Sequence, residues 1–417
     1  MKSEYFIKNR KKFIDLMNND SIAVIHSNTL YTSSADMNYD FEVDREFYYL
    51  TGIEKPDFIY MAEKNSDYVK ETLFAYRKDE FEEKWTGYRL TSDELSEISG
   101  LTDVASIDKF YNSFAQVMAK RPYKKVYINT KILSSWKNYK TPYEYLSESI
   151  SRKYPHIKIK NTSEITVPLR LTKEEYEIDL IKKAAAVTNC GLLRMMSSAY
   201  EGINEKELEA EFEYEVIKAG MKNSFAPIVA GGKNGLVLHY NENNNIISSG
   251  SLVLIDAGAS YKNYCADVSR TFPVSGKFDI MQRKVYDIVL AANEAVIGAI
   301  KEGVTFDQLE DTAKSILSGG LIELGIMKTQ DELGKYYYHT IGHSLGLDAH
   351  DPCDKSLPIK SGMVLTVEPG LYIKELNIGI RIEDNVLVTD TSCDILTSDI
   401  IKKAEDIEKY MHKGKKD

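Results

Sequence analysis

The sequence predicts a two-domain α/β protein, on three observations. Its 417 residues exceed what one ordinary hydrophobic core organises. Short apolar runs alternate with amphipathic helical stretches through both halves. The texture also changes near residue 165, where short mixed elements give way to long helices. The expected domains are therefore residues 1–165 and 166–417.

In the first domain, "SIAVIHSN" (Ser21–Asn28) and "KKVYINT" (Lys124–Thr130) read as buried strands, apolar and β-branched between polar ends. "TSDELSEISG" sets Thr91 and Ser92 before an acidic first turn and closes on Gly100, a helix start and stop. Beyond Pro168, Thr172 with Glu175 three residues later predicts a capping box opening a long amphipathic helix. Ile178, Ile181, Ala184 and Ala185 line one face of it. Helices expected over 172–200, 204–220, 279–301 and 305–325 then alternate with strands. The strands lie in "SLVLIDAGA", "CADVSRTFPV", "MVLTVEPG" and "GIRIEDNVLV". The C-terminal "IKKAEDIEKYMHKGKKD" reads as a charged, solvated helix running into a basic tail. "AGGKNG" (Ala230–Gly235) lacks the spacing of a phosphate loop and reads as a glycine turn.

Composition removes several function classes. At 43% hydrophobic and 28% charged, the chain is globular. A net charge of -10 opposes a nucleic-acid footprint. No run reaches the roughly 18 apolar residues of a membrane span. "MKSEYFIKNRKKF" at the start lacks the apolar core of a signal peptide. Cys190, Cys265, Cys353 and Cys393 form no CxxC pair, which argues against a disulfide framework and against a cysteine zinc site. A reducing cytoplasm is the expected compartment.

Chemistry enters with acids at the ends of apolar strands. Asp256 closes the run Leu252–Ile255, and Asp267 opens the next strand. A hairpin turning at Tyr261–Lys262 would set the two opposite each other, with Cβ atoms about 5 Å apart. The run before Asp256 does not alternate, as in a strand buried on both faces. Facing buried carboxylates need a cation or shared protons. Glu368 ends "VLTVE" just before Pro369 and Gly370 turn the chain. "GIRIEDNVLV" alternates Ile378, Ile380 and Ile382 against Gly379, Arg381 and Glu383, so Arg381 and Glu383 share a face.

Of only 7 histidines, three (His339, His343 and His350) fall in "HTIGHSLGLDAHD", where Gly342 and Gly346 favour an irregular segment. One histidine with four carboxylates makes a hard, oxygen-rich donor set. It suits Mn²⁺, Fe²⁺ or Co²⁺, and less strongly Zn²⁺. Two dications would balance four negative charges. Held about 3.5–4 Å apart, they would make a bridging water acidic enough to attack at neutral pH. The expected chemistry is hydrolysis.

These residues, in this order, resemble the aminopeptidase P and prolidase family of pita-bread metallopeptidases. The likeness runs through Asp256, Asp267, "HTIGHSLGLDAHD", "TVEPGLY" and "RIEDN", and includes "FYYLTG" (Phe47–Gly52) and "KWTGYRL" (Lys84–Leu90) in the first half. The resemblance implies a creatinase-like α/β domain followed by a pita-bread α+β catalytic domain. It implies that Asp256 holds one metal in bidentate fashion, that His343 and Glu368 hold the other, and that Asp267 and Glu383 bridge them. His339, His350 and His239 match substrate-facing histidines, Glu368 the general base, and Arg381 a residue orienting its neighbours. Trp85 resembles a tryptophan lining the proline pocket, reached from a neighbouring subunit in some relatives. Glu42 and Val43 depart from the basic–polar pair usual before "FYYLTG". Cys265, two residues before Asp267, reads as a small buried hydrophobe.

The implied function is an Xaa-Pro aminopeptidase acting on peptides with proline second, with two divalent ions, first Mn²⁺ and otherwise Co²⁺, Fe²⁺ or Zn²⁺. A homodimer is expected. The alternatives are an Xaa-Pro dipeptidase on the same scaffold and an inactive relative serving as a binding module. A methionine aminopeptidase would share the five ligands but need not share this N-terminal extension. A creatinase-type hydrolase has the fold without the metal, and all five ligands are present here.

Overall fold

The computed structural model describes residues 3–129 and 141–413. Thr130 of "KKVYINT" and the basic tail from Gly414 onward lie outside the described residues. The chain divides into two compact units, Met1–Leu169 and Arg170–Asp417. The division falls inside the helix Ser163–Leu171, which carries Pro168. No linker composition marks that point.

The first unit is built on a six-stranded mixed sheet. Its strands are β1 (Ser21–His26), β2 (Ile59–Lys64), β3 (Val69–Ala75), β4 (Val104–Ser106), β5 (Lys125–Ile128) and β6 (Lys158–Asn161), in the order β4-β3-β2-β1-β5-β6. Only β2 runs antiparallel to both of its neighbours; β1, β5 and β6 are mutually parallel. Ile22, Val24, Met61, Phe74, Phe110, Phe114 and Val126 pack one of its cores. The helix α1 (Ser92–Ser99) starts at the Thr91–Glu94 capping box and ends on left-handed Gly100, as its sequence predicts.

The second unit sets four long helices against strands. The helices are α2 (Glu175–Ser198), α3 (Glu205–Lys218), α4 (Ile280–Ala299) and α5 (Phe306–Glu323), each a few residues shorter than expected. The capping box that opens α2 is Glu174 with Glu177, not Thr172 with Glu175. Thr172 instead makes an antiparallel bridge to Met363, and the Lys173 amide donates to the Gly362 carbonyl at 2.7 Å. Tertiary pairing therefore takes the residues that local capping would have used. The last helix, α6 (Ala404–Lys413), is charged on one side but buries Ala404, Ile407 and Met411.

The strands that position the acids are β7 (Ile228–Gly231), β8 (Leu252–Ala257), β9 (Ala259–Tyr261), β10 (Tyr264–Cys265) and β11 (Val268–Pro273), followed by β12 (Val364–Val367), β13 (Gly370–Ile373), β14 (Ile378–Arg381) and β15 (Asp384–Val388). Strands β7, β8 and β11 form one antiparallel sheet, β12 pairs with β15, and β13 pairs with β14. Along β8, Val253 and Ile255 join the helix-side core with Leu192, Phe212, Val285 and Ile380, while Leu254 joins Ile228 and Tyr372 on the opposite face. Alternation therefore sends Asp256 to the face away from the helices.

Two expectations are corrected here. The β8–β11 register pairs Asp256 with Ser269, so Asp267 lies two residues along the same face, not directly opposite. The turn sits at Lys262–Asn263, both at positive φ. A tight hairpin turn of this kind needs two left-handed residues, and Asn tolerates that conformation far better than Tyr. Second, "GIRIEDNVLV" is not one strand. It breaks after Arg381, where the Ile382 amide bonds the Pro369 carbonyl and the Glu383 amide bonds Ser269, and resumes as β15.

Candidate metal centre

Each acid stands where a strand of the second unit ends or breaks. Asp256 is in β8, Asp267 just before β11, Glu368 between β12 and β13, and Glu383 between β14 and β15. The histidine segment runs irregularly beside β12, since Gly342 passes so close that a Cβ would lie 2.1 Å from the Thr366 carbonyl oxygen. Contact between them is confirmed by the Thr366 amide, which donates to the His343 carbonyl at 2.9 Å.

One cavity of ≈ 70 Å³ is lined by Asp256, Asp267, His343, Glu368, Glu383, His339, His350, His239, Arg381 and Leu238. Every candidate site residue named from the sequence is thus in one place, apart from Trp85 in the other unit. Its size is about that of two water molecules. A second cavity of ≈ 510 Å³ shares His239, Asp256, Asp267 and His350 with it and adds Phe225, Ala226, Ile228, Asn241, Asp348 and Ala349.

The donor atoms converge. His343 Nε2 lies 3.5 Å from Asp267 Oδ2 and 3.5 Å from Glu368 Oε1. Three overlapping groups have ligand atoms within 4.8 Å of one another: Asp267, His343 and His350; His343, Glu368 and Glu383; Asp256, Asp267 and Glu383. The His343 tautomer is fixed by a neighbour. Its Nδ1 sits 3.1 Å from the Ser344 carbonyl, which can only accept, so the proton is on Nδ1 and the Nε2 lone pair faces the acids.

Electrostatics mark the same atoms. Burial first, and then Glu383 and Asp256, push the Asp267 carboxyl well above its ordinary range. Burial and the nearby Glu368 do the same to Glu383. Glu368 is pushed up to about 7, mainly by burial. Burial lowers His343 to about 4 and His339 to about 4, so both are neutral at pH 7. Asp256 Oδ1 is buried without a hydrogen-bond partner among the described residues. Carboxylates forced to hold protons, a lone pair aimed among them and an orphaned oxygen together fit divalent cations. With Arg381 counted, two dications would leave one positive charge for a further anion.

Arg381 braces the site from behind. Its guanidinium donates to Asp256 Oδ2 at 2.6 Å, Ser269 Oγ at 2.7 Å and the Tyr372 hydroxyl at 3.0 Å. Ser269 passes the chain on to Glu383 at 2.8 Å. Tyr372 lies 2.9 Å from His339 Nε2, and His339 Nδ1 lies 2.9 Å from the Thr340 carbonyl. Both ring nitrogens of His339 are therefore engaged within the protein. Tyr372, Ser269 and Thr366 were not singled out from sequence. Tyr372 ends the quoted "TVEPGLY", but nothing in the spacing says that its hydroxyl joins Arg381 to a histidine.

Residues 179–390 match the model of metallopeptidase family M24. The chain belongs to that family. Residues 6–127 match the N-terminal domain of aminopeptidase P. Among the M24 relatives, the Xaa-Pro aminopeptidase of Escherichia coli is 32% identical over 99% of this chain and 98% of its own. A provisionally assigned aminopeptidase P from Bacillus anthracis superposes with a TM-score of 0.97 at 38% identity, covering 99% of both chains. The E. coli aminopeptidase P structure with the inhibitor Pro-Leu superposes at 0.92, with 31% identity over 100% of each chain. The two-domain aminopeptidase P fold and its M24 catalytic half are thereby established. A zinc-substituted E. coli aminopeptidase P with product superposes at 0.93. No helix among the described residues of this M24 member is long and apolar enough to cross a membrane.

Proposed function

We propose that the chain is a metal-dependent Xaa-Pro aminopeptidase, releasing the first residue of a peptide whose second residue is proline. The observation that carries this reading is the one small cavity that gathers four carboxylates and the Nε2 of His343. Asp256 would hold one ion, His343 and Glu368 the other, and Asp267 and Glu383 both. Mn²⁺ is the first choice, with Co²⁺, Fe²⁺ or Zn²⁺ as substitutes. When bound, such ions supply Lewis acidity and bring the pKa of water into the neutral range.

The chain's own groups do the rest. Glu368, which lines the small cavity beside His343, takes the proton from the attacking water and returns it to the leaving nitrogen. His350 and His239 line both cavities and are placed to donate to the scissile carbonyl as it becomes an oxyanion. His339 acts through the Arg381–Tyr372–His339 chain, orienting its neighbours. Phe225, Ala226 and Ile228 give the larger cavity an apolar wall for a pyrrolidine ring. A bond to proline is a tertiary amide without an N–H, so recognition has to rest on shape and on the carbonyl.

Arg381→Lys keeps the charge but loses the three-way fork. It is expected to lower kcat about 10–100-fold, the usual loss for a partner that orients ligands. Wild-type kcat in a steady-state assay would remove Arg381 from the working parts.

Substrate length is tested with Arg-Pro-Pro against Ala-Pro in Mn²⁺ buffer. Rapid release of arginine from the tripeptide is expected. Cleavage of the dipeptide alone would make the enzyme an Xaa-Pro dipeptidase, and cleavage of neither would favour the binding module. A homodimer is the proposed assembly. Its support is Trp85, 80% exposed on the helix Glu80–Thr86, which buries none of its residues in this chain. The cytoplasm is the proposed compartment, since no disulfide joins the four cysteines.

A further inference from the structure

Behind the histidine segment lies an ionic cluster that none of the proposed chemistry uses. Arg170 Nη2 donates to Asp351 Oδ1 at 2.5 Å and to Asp348 Oδ2 at 2.7 Å. Lys173 Nζ lies 3.1 Å from Asp351 Oδ2 and 3.5 Å from Ser344 Oγ. The side chains of Lys173 and Asp351 are 1% exposed and that of Arg170 is 4% exposed. Two buried cations and one buried carboxylate are a poor choice for stability alone, because desolvation offsets most of the attraction. The cluster is also closely fitted: a Cβ on Gly346 would lie 2.7 Å from Asp351 Oδ2 and 2.9 Å from Lys173 Cε.

His343 and His350 of this segment are held differently. His343 is anchored on β12. Its amide donates to Thr366 Oγ1 at 3.0 Å, its carbonyl accepts from Thr366, and the Leu345 amide donates to Val364. His350 adjoins Asp351, whose amide reaches back to the Ser344 carbonyl at 2.9 Å and whose carboxylate is the centre of the cluster. The His350 ring packs on that of His343 with centroids 4.1 Å apart. Burial alone would push the Asp351 carboxyl up, but Arg170 and Lys173 outweigh it and hold it below its ordinary range, so it stays charged.

We propose that Arg170, Lys173 and Asp351 are positioning residues, a buried clamp that fixes His350 over the substrate carbonyl, while β12 anchors the backbone of His343 and the clamp meets it only at the shared Ser344. This rests on the reading of His350 as a substrate-facing group. The clamp accordingly controls the chemical step and leaves metal binding alone.

The test is a double-mutant cycle between Lys173→Met and His350→Ala in the full-length enzyme. It reads kcat and KM on Arg-Pro-Pro, metal content per chain, and the melting temperature of the metal-free protein. Lys173→Met is expected to lower kcat by roughly tenfold or more, with metal content unchanged. In the His350→Ala background the same change should cost less than about twofold, because the group it positions is gone. Equal losses in both backgrounds, or loss of metal in step with activity, would overturn the clamp. Wild-type kcat for His350→Ala alone rejects the role of His350, and a kcat loss from Lys173→Met beside it overturns the clamp separately. If Lys173→Met does not fold, Arg170→Lys, which keeps the charge, enters the same cycle with the same expected coupling.

Discussion

Asp267→Ala is expected to give a folded protein that binds substoichiometric metal and loses nearly all peptidase activity. Asp267 is buried at 5% exposure. Its carboxylate faces His343 Nε2 on one side and shares a 4.8 Å cluster with Asp256 and Glu383 on the other. Of the three donor groups that can be drawn around the cavity, two do not include Glu368, and Asp267 is the acid common to both. Removing it takes away a contact to both proposed ions at once. The loss in kcat should exceed the roughly 10–100-fold typical of an outer partner, since a proposed ligand itself is gone. The backbone there is held separately: the Asp267 amide donates to Asn385 Oδ1 at 3.1 Å, and that bond survives the substitution. Metal content by plasma emission and far-UV dichroism separate loss of ligand from loss of fold. A mutant that keeps both metal and activity would show that Asp267 does not bridge.

Removal of metal is expected to make stability fall as pH rises. Without a cation, Asp267, Glu368 and Glu383 have folded-state pKa values raised above their unfolded ones, chiefly by burial. Between the unfolded and folded values the native state holds more protons than the unfolded state, so stability drops with increasing pH. For Glu368, raised from 4.5 to about 7, the contribution is on the order of 3 kcal/mol between pH 4 and 8. In a domain of this size that is a drop in Tm of roughly 6–12 °C. Asp267 and Glu383 act in the same direction. Divalent metal should abolish this slope, because bound carboxylates carry no protons in either limb of the range. His339 and His343, lowered to about 4, oppose this slope below pH 6.5, so thermal unfolding of chelator-treated protein at pH 6.5 and pH 8, with and without Mn²⁺, checks it. A flat or rising profile in the metal-free protein would contradict the mutual burial of these acids.

The acids and histidines were legible because their signals are local. Asp256 and Glu368 each end an apolar run, and a charged residue at the end of a buried strand has few purely structural uses. What the sequence misplaced was set by pairing partners far along the chain. The Lys262–Asn263 turn moved the hairpin register by two, which preserved the face and hence the proximity of Asp256 and Asp267. A shift of one would have sent Asp267 into the helix-side core. The break at Ile382 was hidden because isoleucine alternation continues across it, although the bonds to Pro369 and Ser269 divide the run between two sheets. Thr172 had the residues of a cap but was taken by Met363.

The supporting contacts were the least legible. Ser269, Thr366 and Tyr372 are common strand residues whose hydroxyls matter only once Arg381, His343 and His339 have been brought beside them. Arg170 and Lys173 lie some 178 positions or more before the aspartates they hold, and no periodicity connects them.

The most direct measurement is metal content per chain in apo-protein reconstituted with Mn²⁺ and freed of excess ion, read beside arginine release from Arg-Pro-Pro. The expected result is two ions per chain, with activity that appears on reconstitution and disappears with chelator. Activity undiminished in protein shown to hold no metal, or a reconstituted chain that binds none, would contradict the reading of the carboxylate cavity as a dinuclear centre.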